Sequence, residues 1–245
     1  MRVAVVSDIH GNLTALEAVL ADIHRRAPDL VVHGGDLALM GPRPAEVVDL
    51  IRSLAWPGVV GNTDELLWRP EEHARQLERA PALAGVLTLL FDSYAPDTQS
   101  RLGEERLEWL RGLPAEYRVG PGLTVVHASP GDLWRAPMPD ASDVELVGAF
   151  SAVGSDHVAY GHIHRPFVRS VGGFTVANAG SVGMPWDGDP RAAYLLIDDG
   201  VAEVLRVSYD VEAEARALRV ARHPDAERLI EMRVRGSFVR PPGQL

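Results

Sequence analysis

Seven side chains able to ligate metal ions are spread over most of this chain: Asp8, His10, Asp36, Asn62, His127, His162 and His164. They fall in five short segments, Asp8-Ile9-His10, Gly34-Gly35-Asp36, Gly61-Asn62-Thr63-Asp64, Val126-His127-Ala128 and Gly161-His162-Ile163-His164. Imidazole nitrogen, carboxylate and amide oxygen form a mixed N/O donor set unlike a thiolate-bound structural zinc site. Such a set suits two divalent transition-metal ions, manganese first, with iron, zinc, cobalt or nickel also compatible.

Each segment closes an apolar run of the kind that forms a buried strand, and ligands of layered α/β sheets gather beyond the carboxyl ends of strands. Val3–Ser7, Leu30–His33 and Gly58–Val60 read as early strands. A helix begins near Asn12 to Thr14, where Thr14-Ala15-Leu16-Glu17 has a capping-box pattern, and another begins at Pro44. This alternation indicates βαβ units and a parallel sheet. Residues 63–112 read as a helical insert, clearest at Leu102–Leu110. Strands return at Leu123–His127, His157–Tyr160, Phe167–Ser170, Phe174–Ala177, Ala192–Ile197 and Ala202–Val207, the later ones as antiparallel hairpins. A helix at Glu212–Arg222 and a polar tail ending in Pro241-Pro242-Gly243 complete one domain over 1–245, with a helical tail from about 210.

Taken singly, the motifs have plainer readings. Asp8 and His10 make a turn-forming pair, Gly-Gly-Asp is common turn chemistry, Asn62 suits a turn, and His127 a hydrogen-bonded core. His162 and His164 also fit a single-metal site. The chain carries its own decoy in Asp22-Ile23-His24. That tripeptide lies in a helix, where i and i+2 diverge, whereas Asp8 and His10 follow a strand, where they share a face.

At 245 residues, with 46% hydrophobic and 24% charged, the chain has the composition of a soluble globular domain. A net charge of −10 argues against nucleic-acid polymers and anionic membranes as partners, but not against a small phosphorylated substrate. No apolar stretch approaches membrane-spanning length. An N-terminus that enters a strand at once leaves no room for a signal peptide, and the absence of cysteine fits a reducing cytoplasm. Residues 63–112 and 210–245 are expected to shape the pocket and any contact between copies in a homo-oligomer.

Together, the five motifs resemble the calcineurin-like metallophosphoesterase superfamily, in particular its small bacterial and archaeal phosphodiesterase branch. Asn178-Ala179-Gly180-Ser181-Val182-Gly183 and Asp187-Gly188-Asp189-Pro190-Arg191 resemble downstream segments of that branch, so the likeness covers about residues 1–208. The resemblance implies an α+β fold, a four-layer α-β-β-α sandwich with two mixed sheets. It implies that Asp8, His10 and His164 hold one metal, that Asn62, His127 and His162 hold the other, and that Asp36 bridges both.

Two such cations would generate a bridging hydroxide for in-line attack on a phosphate ester, leaving Asp36, Asn62 and His127 to act catalytically through the metals. No side-chain nucleophile is needed. A phosphodiesterase is the leading expectation, with a phosphomonoesterase or protein phosphatase next, and a non-catalytic interaction scaffold on the same fold as an alternative of another class. Many relatives carry histidine after the motif asparagine, to protonate the leaving oxygen. This chain has Thr63, which cannot serve as an acid near neutral pH. Asp64 is a candidate catalytic residue with a competing reading as a helix cap or loop orienter. Arg165, Asp132 and Trp134 are candidate substrate contacts, and Asn178 and Ser181 candidate supports of the histidines. His24, His33, His73, His157 and His223 are read as non-ligands.

Overall fold

Short apolar strands, most of them buried on both faces, build the molecule, whose computed structural model describes residues 1–241. The first half runs β1 (Arg2–Val6), α1 (Leu13–Arg26), β2 (Leu30–His33), α2 (Pro44–Ser53), then α3 (Asn62–Glu65), α4 (Glu72–Arg79), α5 (Ala84–Thr88), α6 (Ala95–Leu102) and α7 (Glu104–Arg111). The second half adds β3 (Glu116–Val119), β4 (Leu123–Val126), α8 (Asp143–Phe150), β5 (His157–Tyr160), β6 (Phe167–Val171) and β7 (Phe174–Asn178). It closes with β8 (Ala192–Asp198), β9 (Val201–Val207), α9 (Val211–Val220) and α10 (Ala226–Arg235). A π-helical turn, Leu89–Tyr94, joins α5 to α6.

The strands form two mixed sheets, one in the order β2-β1-β8-β9 and the other β3-β4-β5-β7-β6. Because side chains alternate across a strand, each sheet feeds two apolar layers. Val3 and Val5 of β1 meet Val125, Ala159 and Ala177 of the other sheet in a central layer. Ala4 and Val6 point the opposite way, into a layer with Leu16, Val19, Val47, Ile51, Leu218 and Leu229 of the helices. On the far side, Val126, Val158, Tyr160 and Val176 pack on Leu146 and Phe150 of α8. Three apolar layers between four structural ones give the expected α-β-β-α sandwich.

Several local expectations are corrected. The helix α1 is capped by Asn12, whose side-chain oxygen accepts from the Ala15 N–H, while the Thr14 hydroxyl is engaged by Glu214 instead. Gly58–Val60 makes only a bridge from Gly58 to His33, because Val59 bonds the His33 carbonyl and Val60 turns to the Pro114 carbonyl. The run Leu102–Leu110 breaks at Gly103, which takes φ 72°, so α6 and α7 are separate. The polar tail begins with α10, which buries Leu229, Ile230 and Met232. Pro242 and Gly243 lie outside the described residues.

Candidate metal centre

All five motif loops leave the same edge of the two sheets, and backbone hydrogen bonds fasten them together. Asp8 N–H donates to Gly35 O at 3.0 Å and His10 N–H to Asp36 O at 3.0 Å, which joins the loops after β1 and β2. Gly161 N–H donates to His127 O at 2.9 Å, while Val182 and Gly183 N–H donate to Ser7 O and Asp8 O, each at 3.0 Å. Asp8, His10, Asp36, His162 and His164 all adopt positive φ, from 50° to 65°. Such conformations cost energy outside glycine and concentrate where surrounding structure holds a functional side chain in place.

The side chains gather into two adjoining sets. Donor atoms of Asp8, His10, Asp36 and His164 lie within 4.8 Å of one another, a group able to hold a metal ion. Beside it, Asn62 Oδ1 lies 2.8 Å from His127 Nε2 and 3.0 Å from His162 Nδ1. Asp36 stands between them, its Oδ2 3.7 Å from His10 Nε2 and 3.5 Å from His127 Nε2. Asp8, His10, Asp36, Asn62, His127 and His164 are buried, and His162 is half-buried.

The donor chemistry fits cations. His10 Nδ1 must donate to Leu39 O at 3.0 Å, His164 Nδ1 to Met184 O at 2.6 Å, and His127 Nδ1 to Gly34 O at 2.8 Å. These carbonyls fix the tautomer and turn each unprotonated Nε2 inward, the usual arrangement for metal-ligating histidine. Two inward lone pairs, those of His10 and His164, then face each other at 3.2 Å. A third, on His127, faces the Asn62 carbonyl oxygen. The opposed pair of His10 and His164 is relieved by a positive charge between them, and the amide oxygen of Asn62 can serve as a neutral ligand beside His127.

Without metal the ionisations are displaced. Burial, then His164, drives the His10 pKa well down, and burial with His127 brings His162 to about 3. Burial followed by the Asp8 charge pushes Asp36 up to about 7. Burial would also raise Asp8, but His164, His127 and His10 outweigh it and hold this carboxyl below its usual range.

The remaining candidates separate. Asp64 is fully buried, and its carboxylate accepts from Asp36 N–H at 2.8 Å, Leu37 N–H at 3.0 Å and Gly61 N–H at 3.2 Å. It therefore braces the loops of Asp36 and Asn62 and does not line the cavity, which corrects its reading as a catalytic residue. Asp132 is also corrected, because it is tied to Arg79 and to the Trp134 N–H and is absent from the cavity wall. Trp134 and Arg165 do line the cavity. Asn178 bonds Gly161 O, and Ser181 links Asp8 O to Met184 N–H, so both support the loops and neither touches an imidazole. The decoy Asp22 pairs with Arg25, Arg26 and Tyr194. His33, His73, His157 and His223 lie outside both donor sets, with His33 packed near Trp109 and His73 stacked on Phe91.

The model of the calcineurin-like phosphoesterase superfamily domain matches residues 1–200. The chain belongs to that superfamily. A Methanocaldococcus jannaschii protein described as uncharacterized is 34% identical over 233 residues, covering 86% of this chain and 88% of its own. The phosphodiesterase YfcE of Escherichia coli is 26% identical over 218 residues, covering 85% of this chain and 93% of its own. The crystal structure of a metallophosphoesterase from Sphaerobacter thermophilus superposes with TM-score 0.77 at 29% identity, covering 96% of this chain and all of that one. Family and buried Asp/His cluster together make this chain a metal-dependent phosphoric ester hydrolase. No helix among the described residues is long and apolar enough to cross a membrane.

Sequence reasoning expected residues 63–112 and 210–245 to shape the pocket but named none of the apolar side chains they contribute to its wall. A space of about 410 Å³ opens from the metal-facing side chains onto Leu83, Val86, Leu87, Leu90, Tyr94 and Met232. Those residues come from the helical insert and α10, where an apolar stripe reads the same whether it faces a core or a cavity.

Proposed function

We propose that the chain is a dinuclear phosphodiesterase in which Asp8, His10, Asp36 and His164 hold one divalent cation and Asp36, Asn62, His127 and His162 the second. Manganese is the first choice and iron, zinc, cobalt and nickel are alternatives. The observation carrying this reading is the position of Asp36 Oδ2, within 3.7 Å of His10 Nε2 on one side and 3.5 Å of His127 Nε2 on the other. When bound, paired divalent cations lower the pKa of a shared water and clamp phosphoryl oxygens for in-line displacement.

The chain's own residues supply the rest. Asp36 Oδ1 is fixed by the Thr63 N–H at 2.9 Å, which would leave its carboxylate oriented to serve both cations. Asp8 is oriented by the His162 N–H at 3.0 and 3.1 Å. Arg165 lies at the cavity wall, held through Nε by Trp186 O, and in this reading its guanidinium is the group that meets an anionic substrate oxygen. Among the described residues no serine or threonine hydroxyl is hydrogen-bonded to a histidine, consistent with attack by water. A diester preference is favoured by a cavity that extends well beyond the metal-facing residues and has room for a second ester group. Reducing surroundings such as the cytoplasm suit a cysteine-free chain of this kind.

The test is metal analysis of the full chain, with kcat/KM on matched 4-nitrophenyl mono- and diesters in Mn²⁺. Two ions per chain and faster diester hydrolysis are expected, with a loss of roughly 1000-fold in Asp36→Asn. Undiminished hydrolysis by that variant would exclude the mechanism, while faster monoester hydrolysis would make the chain a phosphomonoesterase.

A further inference from the structure

The space beside the metal-facing residues is larger than a phosphoryl group requires, and its distant part is apolar. Its wall carries Leu83, Val86, Leu87, Leu90, Trp134 and Phe238, while His10, Asp36, Asn62, His162 and His164 border the same cavity. Of the polar side chains on the distant wall, Arg228 and Tyr94 are already engaged, while the indole nitrogens of Trp134 and Trp186, which lack partners, are buried away from solvent. Arg228 donates through Nε to Asp225, through Nη2 to the Tyr94 hydroxyl and through Nη1 to Val239 O, and the Tyr94 hydroxyl in turn bonds Asp225. A sugar or nucleobase edge placed there would lose water without gaining comparable partners, which is costly.

Two indoles on this wall are braced by further rings. Trp134 stacks on Phe91 at 5.9 Å and 12°, and Phe91 stacks on His73 at 4.8 Å and 8°. Trp186 stacks on His164 at 3.8 Å and 23° and meets Phe238 edge-on at 5.2 Å. Braced indoles offer large apolar contact at little cost in side-chain entropy. At the rim, Leu83 and Met138 remain 50% and 40% exposed, so this side of the cavity stays apolar out to its mouth.

We infer that this cavity binds a flat, apolar ester substituent of the substrate, an aryl or arylalkyl group on the phosphoryl centre. The inference rests on the phosphoesterase reading of the metal site and specifies which esters that site selects. The phosphoryl oxygens lie at the metal-facing end near Arg165, and the ring lies among Leu87, Leu90, Trp134 and Trp186. Burying a naphthyl-sized ring favours binding by roughly 100-fold or more over a methyl group.

The experiment is calorimetric titration of the metal-loaded full chain with naphthylmethylphosphonate and with methylphosphonate, neither of which is hydrolysed. Expected are an affinity about 100-fold higher for the naphthyl compound and a negative heat-capacity change from apolar burial. Leu83→Asp and Met138→Asp sit at exposed positions, should fold, and should each cut that preference about tenfold. Equal affinity for the two phosphonates would overturn the inference, as would a preference untouched in both variants and in Leu87→Asp with its fold verified by circular dichroism. Ester hydrolysis is measured alongside. Selective naphthyl binding without turnover of any diester supports the pocket while sinking the phosphodiesterase reading, whereas diester turnover without selectivity sinks the pocket alone.

Discussion

His10 Nε2 and His164 Nε2 face each other at 3.2 Å, with both Nδ1 protons committed to backbone carbonyls. Neither ring can donate to the other unless one becomes a buried imidazolium, and burial holds His10 far from that state. A divalent cation removes this repulsion. Folding and metal binding are therefore linked. At a free-ion concentration of about 100 times Kd the stabilisation is about 2.7 kcal/mol, a rise in Tm of roughly 5–10 °C for a chain of this size. Scanning calorimetry of chelator-stripped protein titrated with Mn²⁺ measures it, and a Tm indifferent to Mn²⁺, Zn²⁺ and Co²⁺ would contradict the linkage.

Gly61 should be irreplaceable for a reason unconnected with flexibility. A β-carbon there would fall 2.0 Å from Asp36 Oδ1 and 2.3 Å from the Asp36 nitrogen. Asp36 cannot retreat, because Asp64 holds its N–H and the Thr63 N–H holds its Oδ1. Gly61→Ala should displace the shared carboxylate, cutting bound metal and lowering kcat/KM by about 100-fold or more, with circular dichroism little changed. Full metal content in the alanine variant would show that the loop yields more easily than these contacts imply.

His33 supplies a pH dependence separable from the metal donors. The ring is fully buried, neither nitrogen has a hydrogen-bond partner, and burial lowers its pKa to about 3. A depressed histidine pKa means the unfolded chain binds the proton first. Its stabilisation is therefore complete above the unfolded pKa near 6.5 and drains away as pH falls toward the folded value. Between about pH 7 and about pH 5 the loss from this residue should approach 2 kcal/mol. In His33→Leu, urea unfolding at the two pH values should show that much less acid sensitivity than the parent. An identical pH slope in parent and variant would mean that His33 keeps its proton affinity in the fold.

The strands bearing metal-facing residues were legible because continuous apolar runs such as Val3–Val6 and Val125–Val126 have one plausible fate in a layered protein. The candidate donors stood out because Asp, His and Asn recur at five strand ends, and the fold fastens those ends together. Other features depend on partners far away in sequence. Edge strand β3, Glu116-Tyr117-Arg118-Val119, carries two charges in four residues and exists through pairing with β4. The ladder needed to make Gly58–Val60 a strand is interrupted by the Pro114 carbonyl. Asp64 was readable as a catalytic carboxylate, a loop orienter or a helix cap, and only the folded chain reveals the three backbone donors that favour the loop orienter. Arginine-rich spacing in Ala226–Arg235 hid an apolar face, although Arg233 itself is buried and donates to Met40 O.

In the proposed site, Thr63 separates the cation-holding function assigned to the Asn62 loop from any role in leaving-group protonation. Its N–H positions Asp36 whatever the side chain is, and the side chain itself lines the cavity. A hydroxyl cannot deliver a proton near neutral pH, so esters with poor leaving groups should react slowly in this chain, and kcat/KM should fall steeply as leaving-group pKa rises. An imidazole at the same position can protonate the departing oxygen. Thr63→His should therefore raise kcat/KM for alkyl esters by about tenfold or more while leaving 4-nitrophenyl esters nearly unchanged, flattening the dependence on leaving-group pKa. Kinetics on one series of diesters with graded leaving groups, run on parent and variant, decides the point. Parallel slopes would place the proton donor elsewhere on the cavity wall and remove Thr63 from the chemistry.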